Sequence, residues 1–308
     1  MIDIIGAAFD LCGYAEGSRL GPAAIRLAGL QRELENLGLK ARDRGDVAGP
    51  AAYTDPGGMR NFSPLLSAVR TLKERTRETL QEGNMPLILG GEHTLATGCI
   101  SAALNHYGDE LAVLWIDAHA DINTPGSSQT GNLHGMPLAA LAGLPSGTTG
   151  RPDEEWQDFT EALGPARLDP QRIAWCGLRD VDRSELDKIQ GFAATMHFLD
   201  RYGIERFIGD LAKWLRQIEA RHLWISFDVD ALDPILAPGT GTAVRGGLTY
   251  REAHLLAELI HECLDKPDCP ATLVGVDLVE VNPLQDTNNA TAKVAVEWVA
   301  SLLGKTIL

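Results

Sequence analysis

Along this chain, short, largely apolar runs alternate with longer stretches whose apolar residues recur every three or four positions. The short runs lie at residues 2–8, 85–89, 111–116, 172–176, 223–227 and 271–279. They predict strands buried on both faces, as the strands of parallel sheets are. The longer stretches predict helices. Gly21-Pro22 opens one that runs to about Leu37, with Ile25, Leu27, Leu30 and Leu34 as its apolar positions and Gly38 as its stop. Ser63-Pro64 begins a helix reaching Gly83, and another extends from beyond Gly90 to about Asn105. A helix is expected from Ile204 to Ala220, and a last one over Ala290 to Leu303. Thr249 with Glu252 forms a capping box for the helix that lasts to Leu264. Residues 39–47 predict a further short strand, and 48–61 a loop. Strand and helix alternate throughout with no compositional break and no fixed repeat, which predicts a single three-layer α/β/α domain over residues 1–308 with a mainly parallel central sheet. Residues 144–170, rich in Gly, Pro and acids, read as an exposed surface insertion.

Three of the apolar runs end in the same kind of chemistry. Leu111–Ile116 runs into Asp117-Ala118-His119-Ala120-Asp121, whose polar residues, spaced by two, project to one side of an extended chain. Leu223–Phe227 runs into Asp228-Val229-Asp230, and Met85–Leu89 into Gly90-Gly91-Glu92-His93, where paired glycines permit a sharp exit. The carboxyl ends of parallel strands are where open α/β sheets bind ligands. Together they offer His93, His119, Asp117, Asp121, Asp228 and Asp230. Four carboxylates balance two divalent cations and would overload one, so the set reads as a binuclear site, and oxygen-rich ligation without thiolate favours Mn²⁺ over Zn²⁺. A calcium loop is excluded, because Ile122 and Ser128 stand where that loop needs Gly and Glu. Glu92 reads as a carboxylate at the N-terminus of the following helix rather than as a ligand. Residues 122–135 form a polar loop of small donors beside the site, suited to clasping substrate.

Charge and cysteine usage narrow the class. Lys plus Arg is 27 against 42 for Asp plus Glu, a net charge of −15, which argues against nucleic-acid and anionic-membrane partners. The five cysteines are scattered with no Cys-x-x-Cys, so they read as reduced thiols. There is no basic leader and no apolar run long enough to span a bilayer, and a cytoplasmic protein is expected.

Gly-Gly-Glu92-His93, Asp117-Ala-His119-Ala-Asp121, Ser-Phe-Asp228-Val-Asp230-Ala-Leu-Asp233-Pro and Glu280-Val-Asn-Pro together resemble the signature set of the ureohydrolases, manganese enzymes that release urea from guanidino compounds. Asp-Ile-Asn123-Thr-Pro, Thr130-Gly-Asn132-Leu-His134-Gly and Gly-Leu-Arg-Asp180-Val-Asp182 resemble the arginase branch in particular. The resemblance implies two Mn²⁺ per subunit, one held by His93, Asp117, Asp121 and Asp228, the other by His119, Asp117, Asp228 and Asp230. It implies that Asn123 and Thr130 receive a substrate α-carboxylate, with Asn132 on the same loop. Asp182 and Glu185 are expected to face the α-amino group, Thr242 to line the pocket, and Glu280 to meet the guanidinium. Asp121 and His134 are the implied proton carriers. Thr130 stands where arginases commonly carry Ser, and Glu92 where they more often carry Asp. A distinctive C-terminal tail of some arginases is not found, so both homotrimer and homohexamer are compatible with the sequence.

The implied reaction is hydrolysis of L-arginine to L-ornithine and urea by attack of metal-bridging hydroxide. Agmatine and 4-guanidinobutyrate are the alternative substrates, each lacking one group that the loop would bind. A binuclear phosphoesterase would need basic residues to clamp phosphate, and Arg179 is the sole basic candidate near the motifs.

Overall fold

In the computed structural model, which describes residues 1–307, eight strands form one sheet. They are β1 (Ile2–Ala8), β2 (Ala41–Ala48), β3 (Met85–Gly90), β4 (Leu111–Ile116), β5 (Ile173–Leu178), β6 (Phe192–Thr195), β7 (His222–Asp228) and β8 (Thr272–Val279). Their spatial order is β2-β1-β3-β8-β7-β4-β5-β6, and every adjacent pair is parallel. The continuous apolar runs follow from this position, because both faces are covered. Ala112, Leu114 and Ile116 of β4 enter one core and Leu111, Val113 and Trp115 the other. Ile225 and Trp224 of β7 divide in the same way.

The first core is roofed by α1 (Gly21–Leu27), α2 (Leu30–Asn36), α7 (Met196–Gln217), α8 (Tyr250–Leu264) and α9 (Ala290–Leu302). The second is roofed by α3 (Phe62–Gln81), α4 (Leu95–Tyr107), α5 (Pro137–Ala142) and α6 (Arg151–Ala162). This is the three-layer α/β arrangement that the alternation of patterns predicts. The capping box at Thr249 and Glu252 is present with both reciprocal hydrogen bonds.

Four local expectations need correction. The helix expected from Gly21 to Leu37 is two, because Gly29 takes φ 97° and starts the second from a left-handed residue. The edge strand β6, only four residues long, carries too little periodicity to be read. The helix expected from Ile204 to Ala220 is the second part of α7 and ends at Gln217; a first part from Met196, N-capped by Thr195, precedes it across the non-helical Gly203. Residues 144–170 are not simply an exposed insertion: α6 buries Trp156 and Phe159 in the second core, and Leu163 and Leu168 follow them inward. Glu155, itself buried, accepts the Met59 N–H at 2.5 Å and ties this segment to the loop before α3. The density of Gly, Pro and acid conceals an apolar face spaced by three and four.

A buried histidine gives the fold a pH dependence. His254 on α8 is fully buried and pairs through Nδ1 with Ser301 Oγ of α9 at 2.9 Å, while Nε2 has no partner among the described residues. Burial pushes its pKa from 6.5 down to about 4. The folded state therefore prefers the neutral ring, and stability is retained above the unfolded-state value and lost as pH falls from about 6.5 toward 4. The melting temperature of the native protein is expected to drop more steeply between pH 7 and pH 5 than that of His254→Gln; parallel pH profiles would refute this.

Candidate metal centre and substrate cleft

The chain passes from β3 through α4 to β4, skipping two positions in the sheet that β8 and β7 fill later. The carboxyl ends of β3, β8, β7 and β4 are thereby neighbours, and they carry His93, Glu280, Asp228 with Asp230, and Asp117 to Asp121 respectively. Gly90 and Gly91 make the exit from β3 possible. A Cβ on Gly91 would stand 2.2 Å from the Phe9 carbonyl oxygen, and one on Gly90 2.7 Å from that of Leu278.

The six expected ligands converge. His93 Nδ1 lies 3.1 Å from Asp121 Oδ2, 3.2 Å from Asp117 Oδ2 and 3.2 Å from Asp228 Oδ2. His119 Nδ1 lies 3.1 Å from Asp230 Oδ2 and 3.3 Å from Asp117 Oδ1. Two groups thus have the spacing to hold an ion, His93-Asp117-Asp121 and Asp117-His119-Asp230, and they share Asp117. All but His119 are buried, and His119 is a quarter exposed.

The donor chemistry fits cations. Burial and like charge push Asp121 and Asp228 upward and Asp230 to about 6. Burial acts on Asp117 in the same sense, but the His119 and His93 rings outweigh it and hold that carboxyl below the usual range. Four ionised carboxylates in so small a volume require compensating positive charge. His93 Nδ1 is buried with no hydrogen-bond partner among the described residues, while Nε2 sits 2.8 Å from Ser226 Oγ. Ser226 in turn donates to Asp277 Oδ1 at 2.5 Å, and Trp224 Nε1 donates to Asp277 Oδ2 at 2.5 Å. With Ser226 Oγ accepting from Nε2–H, the Nδ1 lone pair is aimed at the carboxylates, the orientation a ligating imidazole needs. This buried chain of Trp224, Asp277 and Ser226 is not legible in the sequence, since alternate residues of apolar strands carry no mark of which side chain they face. Ser226→Ala is expected to weaken metal retention about 10- to 100-fold with the fold intact, read by metal content after dialysis against graded chelator; unchanged retention would sink the orienting role.

Glu92 corrects another expectation. Its carboxylate does not meet the N-terminus of α4; both oxygens accept the Cys12 N–H at 2.9 Å, holding the loop after β1 against the site. Fully buried, it is pushed up to about 8, with His134 opposing and Glu280 reinforcing the shift.

The His/Asp cluster opens onto a cleft of about 200 Å³. Its lining includes Asn123, Thr130, Asn132, His134, Asp182, Glu185 and Thr242, the residues expected there. Asn123 Nδ2 donates to Asp182 Oδ2 at 3.0 Å, joining the loop after β4 to the one after β5. Glu185 accepts from the N–H groups of Ile122 and Asp182, both at 3.0 Å, so its carboxylate holds the two loops in register. Burial drives it up to about 7. Thr242 Oγ1 donates to Asp230 Oδ2 at 2.9 Å. Ser128 and Gln129 also line the cleft and escape notice in the sequence, because a polar loop gives no sign of which of its side chains turn inward.

Glu280 accepts the His93 N–H at 2.9 Å and meets His134 Nδ1 at 3.3 Å through the same oxygen, Oε1. Burial disfavours the charged His134 ring, but Glu280 and Asp121 outweigh it and raise the imidazole above its ordinary value. Asp121 and Glu280 both adopt positive φ, 51° and 62°, backbone that non-glycine residues rarely take. Arg179 is spent on structure: its Nη2 donates to the Asp230 carbonyl at 2.5 Å and to that of Val244 at 2.8 Å. The basic group a phosphoesterase would require is therefore engaged with backbone carbonyls.

The arginase family model matches residues 1–304. The chain belongs to the arginase family. It is 38% identical over 315 residues to an arginase of Staphylococcus aureus (strain COL), covering 100% of this chain and 98% of the relative. With an arginase of Bacillus subtilis (strain 168) the identity is 35% over 311 residues, covering 100% and 99%. The solved arginase structure from Bacillus caldovelox superimposes with a TM-score of 0.88 at 35% identity, covering 100% of this chain and 99% of that one. The protein is an arginase-type hydrolase, and it carries a His/Asp cluster that could hold the metal this family implies. No helix among the described residues is long and apolar enough to cross a membrane.

Proposed function

We propose that this chain hydrolyses L-arginine to L-ornithine and urea and holds two Mn²⁺ in doing so. His93, Asp117, Asp121 and Asp228 would hold one ion, and His119, Asp117, Asp228 and Asp230 the other. The observation that carries the binuclear reading is the sharing of Asp117 between two His/Asp groups at neighbouring strand ends. When bound, such a pair supplies a nucleophile at neutral pH by lowering the pKa of water, which falls from about 16 in bulk to around 7 on a single catalytic zinc.

The remaining work belongs to the side chains. Glu280, buried behind the cleft-lining His134, would hold the guanidinium by charge-assisted hydrogen bonds and fix its carbon in line for attack. Asp121 would take the proton of the attacking water and return it to the leaving amine. His134, partly exposed and beside Glu280, would exchange protons between that amine and solvent. At the outer end, Asn123 and Thr130 would receive the α-carboxylate, with Asn132 on the same loop. Asp182, already bonded to Asn123, would meet the α-ammonium. Glu185 supports that end by anchoring both loops. The same centre could serve agmatine or 4-guanidinobutyrate, but each would leave part of this outer ring unpaired.

The test is urea release by metal-stripped protein reloaded with Mn²⁺, given L-arginine, agmatine and 4-guanidinobutyrate in parallel. Metal-dependent urea from arginine alone is expected. Preference for either truncated compound would overturn the assignment of the loop, and no urea from any of them would overturn the reaction.

A further inference from the structure

Away from the cleft, α7 and α8 border a groove of about 400 Å³ that contains two cysteines, Cys263 in the last turn of α8 and Cys269 three residues before β8. Two successive turns fold the chain back between them: Lys266 N–H bonds the Cys263 carbonyl at 3.4 Å, and Cys269 N–H bonds the Lys266 carbonyl at 3.0 Å. Both cysteine side chains line this groove, and the Cys269 S–H donates to the Ala271 carbonyl at 3.5 Å. Cys263 is buried and Cys269 partly exposed, so one sulfur is open to a solution reagent and the other waits behind it.

We propose that Cys263 and Cys269 are a reversible dithiol–disulfide pair, oxidised by low-molecular-weight disulfides, that staples the turn between α8 and β8. Cys269 attacks first. Its thiolate forms a bond to one sulfur of a disulfide RS–SR, the S–S bond breaks, and RS⁻ leaves to take a proton from water. Cys263 then gives its proton to solvent and attacks the Cys269 sulfur of the mixed disulfide, expelling the second RS⁻. Two protein thiols become one disulfide while the oxidant becomes two thiols, and excess thiol reverses both steps.

The surroundings suit these roles. The neighbouring Cys263 is the main cause that lowers Cys269 to about 6, against the opposing effect of burial, with Arg216 of α7 assisting. Cys263 is correspondingly raised, burial adding to the effect. The partly exposed, lowered thiol suits the attacking role and the buried, raised one the resolving role. The other three cysteines lack both features. Cys12, Cys99 and Cys176 are buried, and burial pushes each of their thiols upward.

The full-length reduced protein, in its native state, is incubated with glutathione disulfide, quenched, alkylated and mapped by peptide mass. A Cys263–Cys269 cross-link is expected, reversed by dithiothreitol, forming at least about tenfold faster than modification of Cys12, Cys99 or Cys176. Cys263→Ser, with Cys263→Ala as a second version should the first fail to fold, is expected to accumulate the mixed disulfide on Cys269. Cys269→Ser is expected to leave Cys263 unmodified. The proposal is overturned if the native protein gives no cross-link, if a mixed disulfide persists there unresolved, or if the buried three react as fast.

Discussion

Asp117→Asn is expected to abolish metal-dependent urea release, by about a thousandfold or more, and to lower bound metal at the same time. The estimate rests on the nucleophile: without metal the pKa of water returns from near 7 toward 16, which leaves almost no hydroxide at neutral pH. Asp117 is the residue through which both losses act, since it belongs to both His/Asp groups. Both of its carboxylate oxygens are also fixed by hydrogen bonds. Its Oδ1 accepts the His119 N–H at 2.7 Å and its Oδ2 accepts Trp115 Nε1 at 2.9 Å. An amide of the same shape preserves packing but carries no charge and can present only one oxygen. Metal content by atomic absorption and urea release, measured on one preparation, check both parts. A variant that keeps two ions and native turnover would sink the binuclear reading, whereas one that keeps metal and loses turnover would move Asp117 from holding the ions to the chemistry itself.

Glu280→Gln is expected to lower kcat/KM for L-arginine about 10- to 100-fold while metal content stays at the native level. A hydrogen bond to a charged group contributes about 1.5–3 kcal/mol, and each 1.4 kcal/mol is tenfold. Glu280 is 3% exposed, so little water is at hand to substitute for the lost charge. The amide oxygen can still accept the His93 N–H, so the strand end should keep its shape. Steady-state kinetics paired with metal analysis separate the roles: loss of metal along with activity would show that Glu280 serves the ion site rather than the guanidinium.

How much of this was legible without coordinates depended on how local each signal was. The strands of the sheet interior announce themselves because burial on both faces forces an apolar run, and the acids at their ends stand out against it. His93, Asp117, His119, Asp121, Asp228 and Asp230 were accessible for that reason, and all six converge. The sequence was silent wherever a residue's meaning depends on its partner in space. Glu92 looks like a helix-terminal acid and is instead a clasp on Cys12, eighty positions away. Ser226 and Asp277 look like polar interruptions in two strands and form the chain that aims His93. In residues 144–170 the Gly, Pro and acidic composition masks the spacing that places Trp156 and Phe159 on the inner face of α6.

The left-handed backbone at Asp121 and Glu280 bears on the long-term persistence of the site. Each is a position where glycine would relieve about 1 kcal/mol or more of strain, so conformational stability and chemistry pull these two codons in opposite directions. In a lineage that no longer needed the reaction, drift toward glycine at Asp121 and Glu280 would be doubly permitted, tolerated by the fold and unopposed by function. Their retention is therefore a more sensitive record of continued use than that of the cluster residues that sit in relaxed backbone. Loss of the site would be written first where the chain is most strained.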